Sequence, residues 1–396
     1  MALALRLPFL LAAFALLACG AEESDPGYAS SGGKTGSGGS AGSGGSGVGG
    51  FSAMGGTGGT GATGGLGSGG LAGSAGSGGQ ASCPPAPACD SALPNVGPKR
   101  SWKHSVSSPV IVATGFPNHR GRDLILRPND EQWVIGKFAY GVVDKDLKDE
   151  EVDVWLDRDC GGSWEKLGTT LTTATDGQHP TVEGVTDSGG RVYFQLPSSK
   201  RVGLGRHRFQ LVVAGDLSST DVYFDVIPSG TKYFVSDVDG TLTTQETEEY
   251  GALLTASVSS ANPSSPQALT ALANQGYRPY YLTARPEFLV GRTREFITVH
   301  GYPPGIVRTT TGLGALGSAA VGFKKPAIED AQSRGAIIEY AFGNKDSDAE
   351  AFFVTNVQPA AHRIFFQFTD AAYGGRRIES YAELLGEFSA LPSVCP

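Results

Sequence analysis

The sequence predicts a β-sandwich followed by an α/β domain with a mainly parallel sheet, carried behind a Gly/Ser-rich linker. Three observations predict this. Residues 31–80 hold 25 of the chain's 58 glycines. Between about Trp102 and Pro228, short runs of alternating apolar and polar residues are separated by turn residues. After Pro228 the pattern changes to strand–helix alternation, the mark of βαβ units. A length of 396 residues suits about two folded domains. The formal net charge of −8 excludes a general nucleic-acid binder, because no basic surface is there to hold phosphate backbones. After the first twenty positions no run of about 20 apolar residues occurs, so the body of the chain has no helical span of a bilayer.

The first element is an export signal at residues 1–18. It has one cation, Arg6, then an apolar run from Leu7 to Leu17 that is too short to cross a membrane. The run ends Leu16-Leu17-Ala18-Cys19-Gly20, which resembles a bacterial lipoprotein lipobox. The resemblance implies cleavage before Cys19, a diacylglycerol on its sulfur and anchoring to a membrane. Gly20 rather than Asp after the cysteine directs the expectation to the outer membrane or cell surface, with the periplasmic side as the alternative. Residues 19–100 then read as a linker. Its core, 29–82, is Gly, Ser, Ala and Thr with Lys34 the only charge from 31 to 80. Such a segment cannot bury enough apolar surface to offset chain entropy and is expected to be disordered, spanning on the order of 40 Å. Cys83, Cys89, Cys160 and Cys395 remain, an even number in an exported chain. Cys83 and Cys89 can close a small loop, but four cysteines allow three pairings.

Residues 101–230 form the expected sandwich. Its candidate strands are Val110–Thr114, Gln132–Val142, Glu151–Leu156, Lys166–Thr172, Arg191–Leu196, Arg206–Val213 and Asp221–Ile227. About seven short strands with turn signals between them predict an immunoglobulin-like sandwich. One basic cluster, His119-Arg120-Gly121-Arg122, reads as an exposed loop, with contact to a lipid phosphate as the alternative.

Residues 231–396 form the expected α/β domain. Strands are predicted at Lys232–Ser236, Tyr277–Leu282, Gly305–Arg308, Ile337–Phe342 and Arg363–Phe368. Helices are predicted at Pro266–Gln275, Glu287–His300, Lys324–Gly335 and Tyr381–Leu391. In such sheets ligands sit beyond the carboxyl ends of the strands. Those ends carry Asp237-Val238-Asp239-Gly240-Thr241, Thr283-Ala284-Arg285-Pro286 and the loop Asn344 to Asp348.

The segments DVDGTLT, YYLTARP, FKKPAIED and FGNKDSDAEAF resemble motifs I to IV of the haloacid dehalogenase (HAD) superfamily, in order and spacing. Together with HRIFFQF they resemble more closely the catalytic domain of the lipins, magnesium-dependent phosphatidate phosphatases. Upstream, GKFAYGVVDKDLKDEEVDVWL, GRVYFQLPSSKRVGLGRHRFQLVVAGD and VIPSGTKYFV resemble the membrane-associated phosphatidylinositol transfer proteins, where a strand-rich segment precedes a lipin-like domain. The resemblance covers roughly residues 130–390.

The residue types carry the chemistry on their own. Phosphomonoester hydrolysis needs a nucleophile, a proton donor for the leaving alkoxide and positive charge on the phosphoryl oxygens. Two aspartates at i and i+2 beyond a strand point the same way in an extended loop. The resemblance implies Asp237 as the nucleophile that forms an aspartyl-phosphate and Asp239 as the acid and base. It implies Mg²⁺ held by Asp237, the carbonyl of Asp239, Asn344 and Asp348, with Asp346 the alternative to Asp348. Thr283 would bind the transferring phosphoryl group and Lys324 would neutralise its charge, with Lys325 the alternative. Phosphatidate or a related phospholipid is the expected substrate. The chain keeps the first aspartate, which the lipid-transfer relatives lack, while its upstream region sides with those relatives. Where lipins favour Gly-Asn-Arg-x-Asn-Asp, this chain has Gly-Asn-Lys-Asp-Ser-Asp. The segment Thr244–Pro266 suffices for a flap but not for a full cap domain. The alternatives are a non-catalytic phosphatidate-binding module and a phosphatase for soluble phosphomonoesters. The sequence leaves the oligomeric state open.

Overall fold

The computed structural model describes residues 85–244, 258–312 and 314–395. The expected signal peptide, Cys19, the spacer and Cys83 lie outside the described residues, as does most of the flap segment.

Before Pro228 the strands are β1 (Arg120–Gly121), β2 (Leu124–Leu126), β3 (Trp133–Lys137), β4 (Ala139–Tyr140), β5 (Lys145–Asp146), β6 (Glu151–Asp157), β7 (Trp164–Leu171), β8 (Arg191–Gln195), β9 (Gly205–Val213) and β10 (Ser219–Val226). A five-stranded sheet runs β2-β10-β9-β6-β7 and a three-stranded sheet runs β1-β3-β8; β4 and β5 form a hairpin. Alternate residues of the larger sheet enter one core: Val152, Val154 and Leu156 of β6, Phe209, Leu211 and Val213 of β9, and Val222, Phe224 and Val226 of β10. Val134, Phe138 and Val192 join the same core. This is the period-2 pattern of a half-buried strand. A disulfide joins Cys89 to Cys160, and Cys395 is also disulfide-bonded.

One expectation is corrected here. Val110–Thr114 was expected as a strand, but Ser107–Val112 is a helix. A short apolar run cannot be told from a helix by periodicity alone. Glu150 decides it: its carboxylate accepts hydrogen bonds from the amides of Lys103 and His104 and from the hydroxyl of Ser108, at 3.0, 2.8 and 2.6 Å.

After Pro228 all strand pairs are parallel. They are β11 (Lys232–Ser236), β12 (Arg278–Leu282), β13 (Ile306–Arg308), β14 (Ile337–Gly343), β15 (Arg363–Phe366) and β16 (Arg376–Ile378), in the order β13-β12-β11-β14-β15-β16. Strand β11 is central and reads as a continuous apolar run because both faces are covered. The helices are Ser265–Asn274, Val290–Val299, Ser318–Ser333, Asp346–Val354 and Leu385–Ser389. Ser318–Ser333 starts six residues before the expected Lys324. The sequence places Pro326 in a first turn, where proline is tolerated; in the structure Pro326 lies inside the helix. The short edge strand β16 was not anticipated.

The alternation on β9 predicts a solvated polar face, yet Arg206, Arg208 and Gln210 are all buried. Arg206 pairs with Asp225 at 2.9 Å and donates to the carbonyl of Gly305 at 2.9 Å, across to the α/β domain. Arg208 donates to the carbonyls of Cys89 and Ser91. Asp123 and Arg294 form an ion pair across the two domains, at 2.6 Å. The polar face of the sandwich is therefore its docking face.

The cluster His119-Arg120-Gly121-Arg122 is also at this seam. It is not the exposed loop that its composition predicts. Arg120 is buried and paired with Asp144 and, across the domains, with Glu287. Arg122 donates to the carbonyl of Thr309 at 2.9 Å.

Candidate active site

The site is built where three parallel strands end. Strand β11 delivers Asp237 and Asp239, with Val238 between them fully buried in the core. Period-2 geometry then turns the two carboxylates away from that core. The amide of Asp237 donates to the carbonyl of Phe342 on β14, which holds the loop against the sheet. Gly240 takes the left-handed conformation, φ +72°, that turns the chain back, and its amide donates to the Thr243 hydroxyl at 2.9 Å.

Helix Ser318–Ser333 delivers Lys324, whose ammonium lies 2.6 Å from Asp237 Oδ1 and 2.5 Å from Asp348 Oδ1. All three side chains are buried. Lys325 points elsewhere, half-exposed, and pairs with Glu329 at 2.9 Å. The segment expected as a loop at 344–348 becomes helical at Asp346, so both candidate aspartates sit in a first turn. Two positions on a helix point about 200° apart. Asp348 faces the cluster, fully buried, and Asp346 is exposed. Asp348 Oδ2 accepts the amide of Asn344 at 3.0 Å. The Thr241 hydroxyl joins Asn344 Oδ1, at 2.9 Å, to Asp237 Oδ2, at 3.3 Å.

Gly343 is required beside this cluster. A Cβ on it would fall 2.4 Å from Asp348 Cβ and 2.7 Å from its Cγ.

Strand β12 delivers Thr283, whose hydroxyl donates to Asp239 Oδ2 at 3.2 Å. Arg285 then takes Asp239 with its Nε and a terminal nitrogen, at 2.9 Å to Oδ2 and 2.7 Å to Oδ1. The partner of Arg285 is thus the second aspartate, and its position two residues after the strand-end threonine was the only local signal. Thr241 and Tyr381 were likewise missed; the Tyr381 hydroxyl donates to the Thr241 carbonyl at 3.0 Å.

Burial is the largest influence on the Asp237 carboxyl and pushes it up to about 7. Asp348 and Asp239 push the same way, against the ammonium of Lys324. Burial opposes the charge on Lys324, but its two carboxylate partners outweigh it and hold the ammonium above its ordinary range. Two buried carboxylates thus share one cation. Among the described residues no group of three or more His, Cys, Asp or Glu is placed to hold a metal ion. Two carboxylates, an amide oxygen and a main-chain carbonyl still suit a hard cation that keeps several of its waters.

Comparison with known proteins follows the same division. Residues 117–226 match the β-sandwich domain of PITM 1-3 and residues 234–366 match the LNS2 domain of PITM 1-3. The chain carries a β-sandwich domain followed by an LNS2 domain. The chain is 27% identical over 297 residues to Protein retinal degeneration B of Drosophila melanogaster, a match covering 73% of this chain and 21% of that protein. It is 25% identical over 225 residues to human membrane-associated phosphatidylinositol transfer protein 3, covering 56% and 21%. It is 28% identical over 218 residues to mouse membrane-associated phosphatidylinositol transfer protein 2, covering 54% and 15%. The chain thus matches about a fifth or less of the length of these relatives. Asp237, Asp239, Thr283, Lys324, Asn344 and Asp348 all lie within the LNS2 match.

Proposed function

We propose that the LNS2 domain is a HAD-type, magnesium-dependent phosphatase that hydrolyses a phosphomonoester, with phosphatidate or a related phospholipid as substrate. The observation that carries this reading is the Asp237–Lys324–Asp348 cluster at the carboxyl end of the sheet. Asp237 attacks phosphorus, the bond to the leaving oxygen breaks, and an aspartyl-phosphate forms. Asp239 gives a proton to the leaving alkoxide and then takes one from the water that hydrolyses the intermediate. Thr283, at the end of β12, binds a phosphoryl oxygen. Lys324 keeps its charge despite burial, held by Asp237 and Asp348, and neutralises the transferring group. Asp237, Asn344, Asp348 and the carbonyl of Asp239 would hold magnesium, which would offset negative charge on the phosphoryl oxygens.

Phospholipid chemistry is supported by the matches to phosphatidylinositol transfer proteins. Export is supported by the Cys89–Cys160 disulfide, since such bonds persist in oxidising compartments. On this reading lipidation of Cys19 holds the chain at a membrane, at the outer membrane or cell surface.

A second reading is a phosphatidate-binding module without catalysis. The Arg285 clamp favours it, because both oxygens of Asp239 are engaged. Phosphate release from phosphatidate in mixed micelles tests the two. Magnesium-dependent release by the wild type, lost in Asp237→Asn and with chelator, establishes the phosphatase. No release, with binding to phosphatidate vesicles intact, replaces it with the binding module. Release from soluble esters but not from phosphatidate moves the substrate class.

A further inference from the structure

We propose a second phosphate site in this chain, a cleft at the seam of the two domains where Arg122 and Arg308 hold the anion. The cleft has a volume of about 450 Å³. Arg122 comes from the sandwich; Arg308 ends β13 of the LNS2 domain. The lining includes no residue of the Asp237 site.

Arg308 decides the assignment. It is only 8% exposed, and among the described residues its guanidinium makes no hydrogen bond or ion pair. Its Nε is buried without a partner. Arg122 makes one hydrogen bond, to the Thr309 carbonyl, and its Nε is also without a partner. Burial pushes the Arg122 guanidinium down to about 9, and the charge of Arg308 acts in the same direction.

The charge of Glu287 opposes this in part, but among the described residues no nearby acid is bonded to either guanidinium. Glu183 and Asp330, which line the cleft, are both taken by Arg334, at 2.5 and 3.1 Å. Glu287 is taken by Arg191 at 2.7 Å and by Arg120 at 3.1 Å. Two guanidinium groups therefore face one cleft whose carboxylates, Glu183 and Asp330, are bonded to Arg334 and to neither of them. A buried unpaired charge is costly, and an anion bound between the two guanidinium groups would offset that cost. Guanidinium presents paired donors that match phosphate oxygens. The rim residues Gly184, Thr311, Gly322 and Pro326 are exposed, so an anion can enter from solvent. Bound there, it would tie the sandwich to the LNS2 domain.

The inference stands apart from the phosphatase reading, and its test keeps them apart. The full chain, with magnesium removed by chelator, is titrated calorimetrically with inorganic phosphate. Wild type and Asp237→Asn are expected to bind alike, while Arg308→Gln and Arg122→Gln each weaken binding at least ~10-fold. Phosphate should raise the thermal midpoint of the wild type and not of Arg308→Gln. Arg308→Gln removes an unpaired buried cation, so without phosphate it should melt no lower than the wild type. Equal phosphate affinity in the wild type and both arginine variants overturns the proposal. So does binding that is lost in Asp237→Asn and kept in Arg308→Gln. Flotation with phosphatidylcholine vesicles, with and without phosphatidate, separates the sources. Arg308→Gln lowers phosphatidate-dependent flotation if the ligand is a lipid headgroup and leaves it unchanged if the ligand is free phosphate.

Discussion

Arg285 grips both carboxylate oxygens of Asp239, at 2.7 Å to Oδ1 and 2.9 Å to Oδ2. A bidentate pair of this kind fixes orientation as well as charge. Arg285 is itself held by the Thr293 hydroxyl at 3.0 Å, so the clamp is anchored to helix Val290–Val299. Under the phosphatase reading Arg285 is a positioning residue for the proton-transfer group. Asp239→Asn should lower kcat by roughly 10²–10⁴-fold. Arg285→Met should lower kcat with little change in KM, and the double variant should be no worse than Asp239→Asn alone. Steady-state kinetics on the three variants checks this; additive losses would mean that the two residues act separately.

Lys324 is the only cation bonded to the two buried carboxylates Asp237 and Asp348 among the described residues. Lys324→Met leaves both uncompensated. Removing one partner of a buried ion pair typically costs about 3–5 kcal/mol. Denaturant unfolding of the magnesium-free variant should show a loss of that order, and added magnesium should recover part of it. A variant as stable as the wild type would contradict the burial of the cluster.

Gly343→Ala places a Cβ against Asp348. The neighbour is the first carbon of a buried side chain, so the clash cannot be relieved by rotating a flexible end. Overpacking of this kind costs about 1–3 kcal/mol. The variant should fold with a lower denaturation midpoint and show weaker magnesium binding, measured by calorimetry. Unchanged magnesium affinity would remove Asp348 from the ligand set.

His119 gives the fold a dependence on pH away from the catalytic residues. Burial, against Phe138 and Tyr140, pushes its imidazole down to about 4 from the ordinary 6.5. The folded state therefore binds the proton less tightly than the unfolded chain. Its contribution to stability is complete above about pH 6.5 and is lost as pH falls through about 4. The loss is up to about 3 kcal/mol. Urea unfolding across this range should show the decline, and His119→Phe should flatten it. A decline of equal size in the variant would place the titrating group elsewhere.

Much of the fold was legible in short segments. Lys232–Ser236, Arg206–Val213 and Arg191–Leu196 were read to within two residues, because apolar runs and strict alternation each have one low-energy solution in a sheet. Val110–Thr114 was misread because a five-residue run carries no period, and the Glu150 carboxylate that organises it comes from a distant turn. The basic cluster at 119–122 was misread for a similar reason. Its charges are buried by Asp144 and Glu287, and Glu287 lies more than 160 residues away.

The sequence by itself determined that carboxylates would stand at the ends of parallel strands, because a strand's pleat and its breaking residues are local properties. It could not determine which of two helical neighbours would meet them. Adjacent residues on a helix point about 100° apart and residues two positions apart about 200°, so Lys324 against Lys325, and Asp346 against Asp348, depends on how each helix is rotated where it docks. Packing of helices Ser318–Ser333 and Asp346–Val354 on the sheet set that rotation and brought Lys324 and Asp348 together. Docking of the sandwich likewise left Arg122 and Arg308 facing one cleft, a relation between residues 186 positions apart that no local pattern encodes.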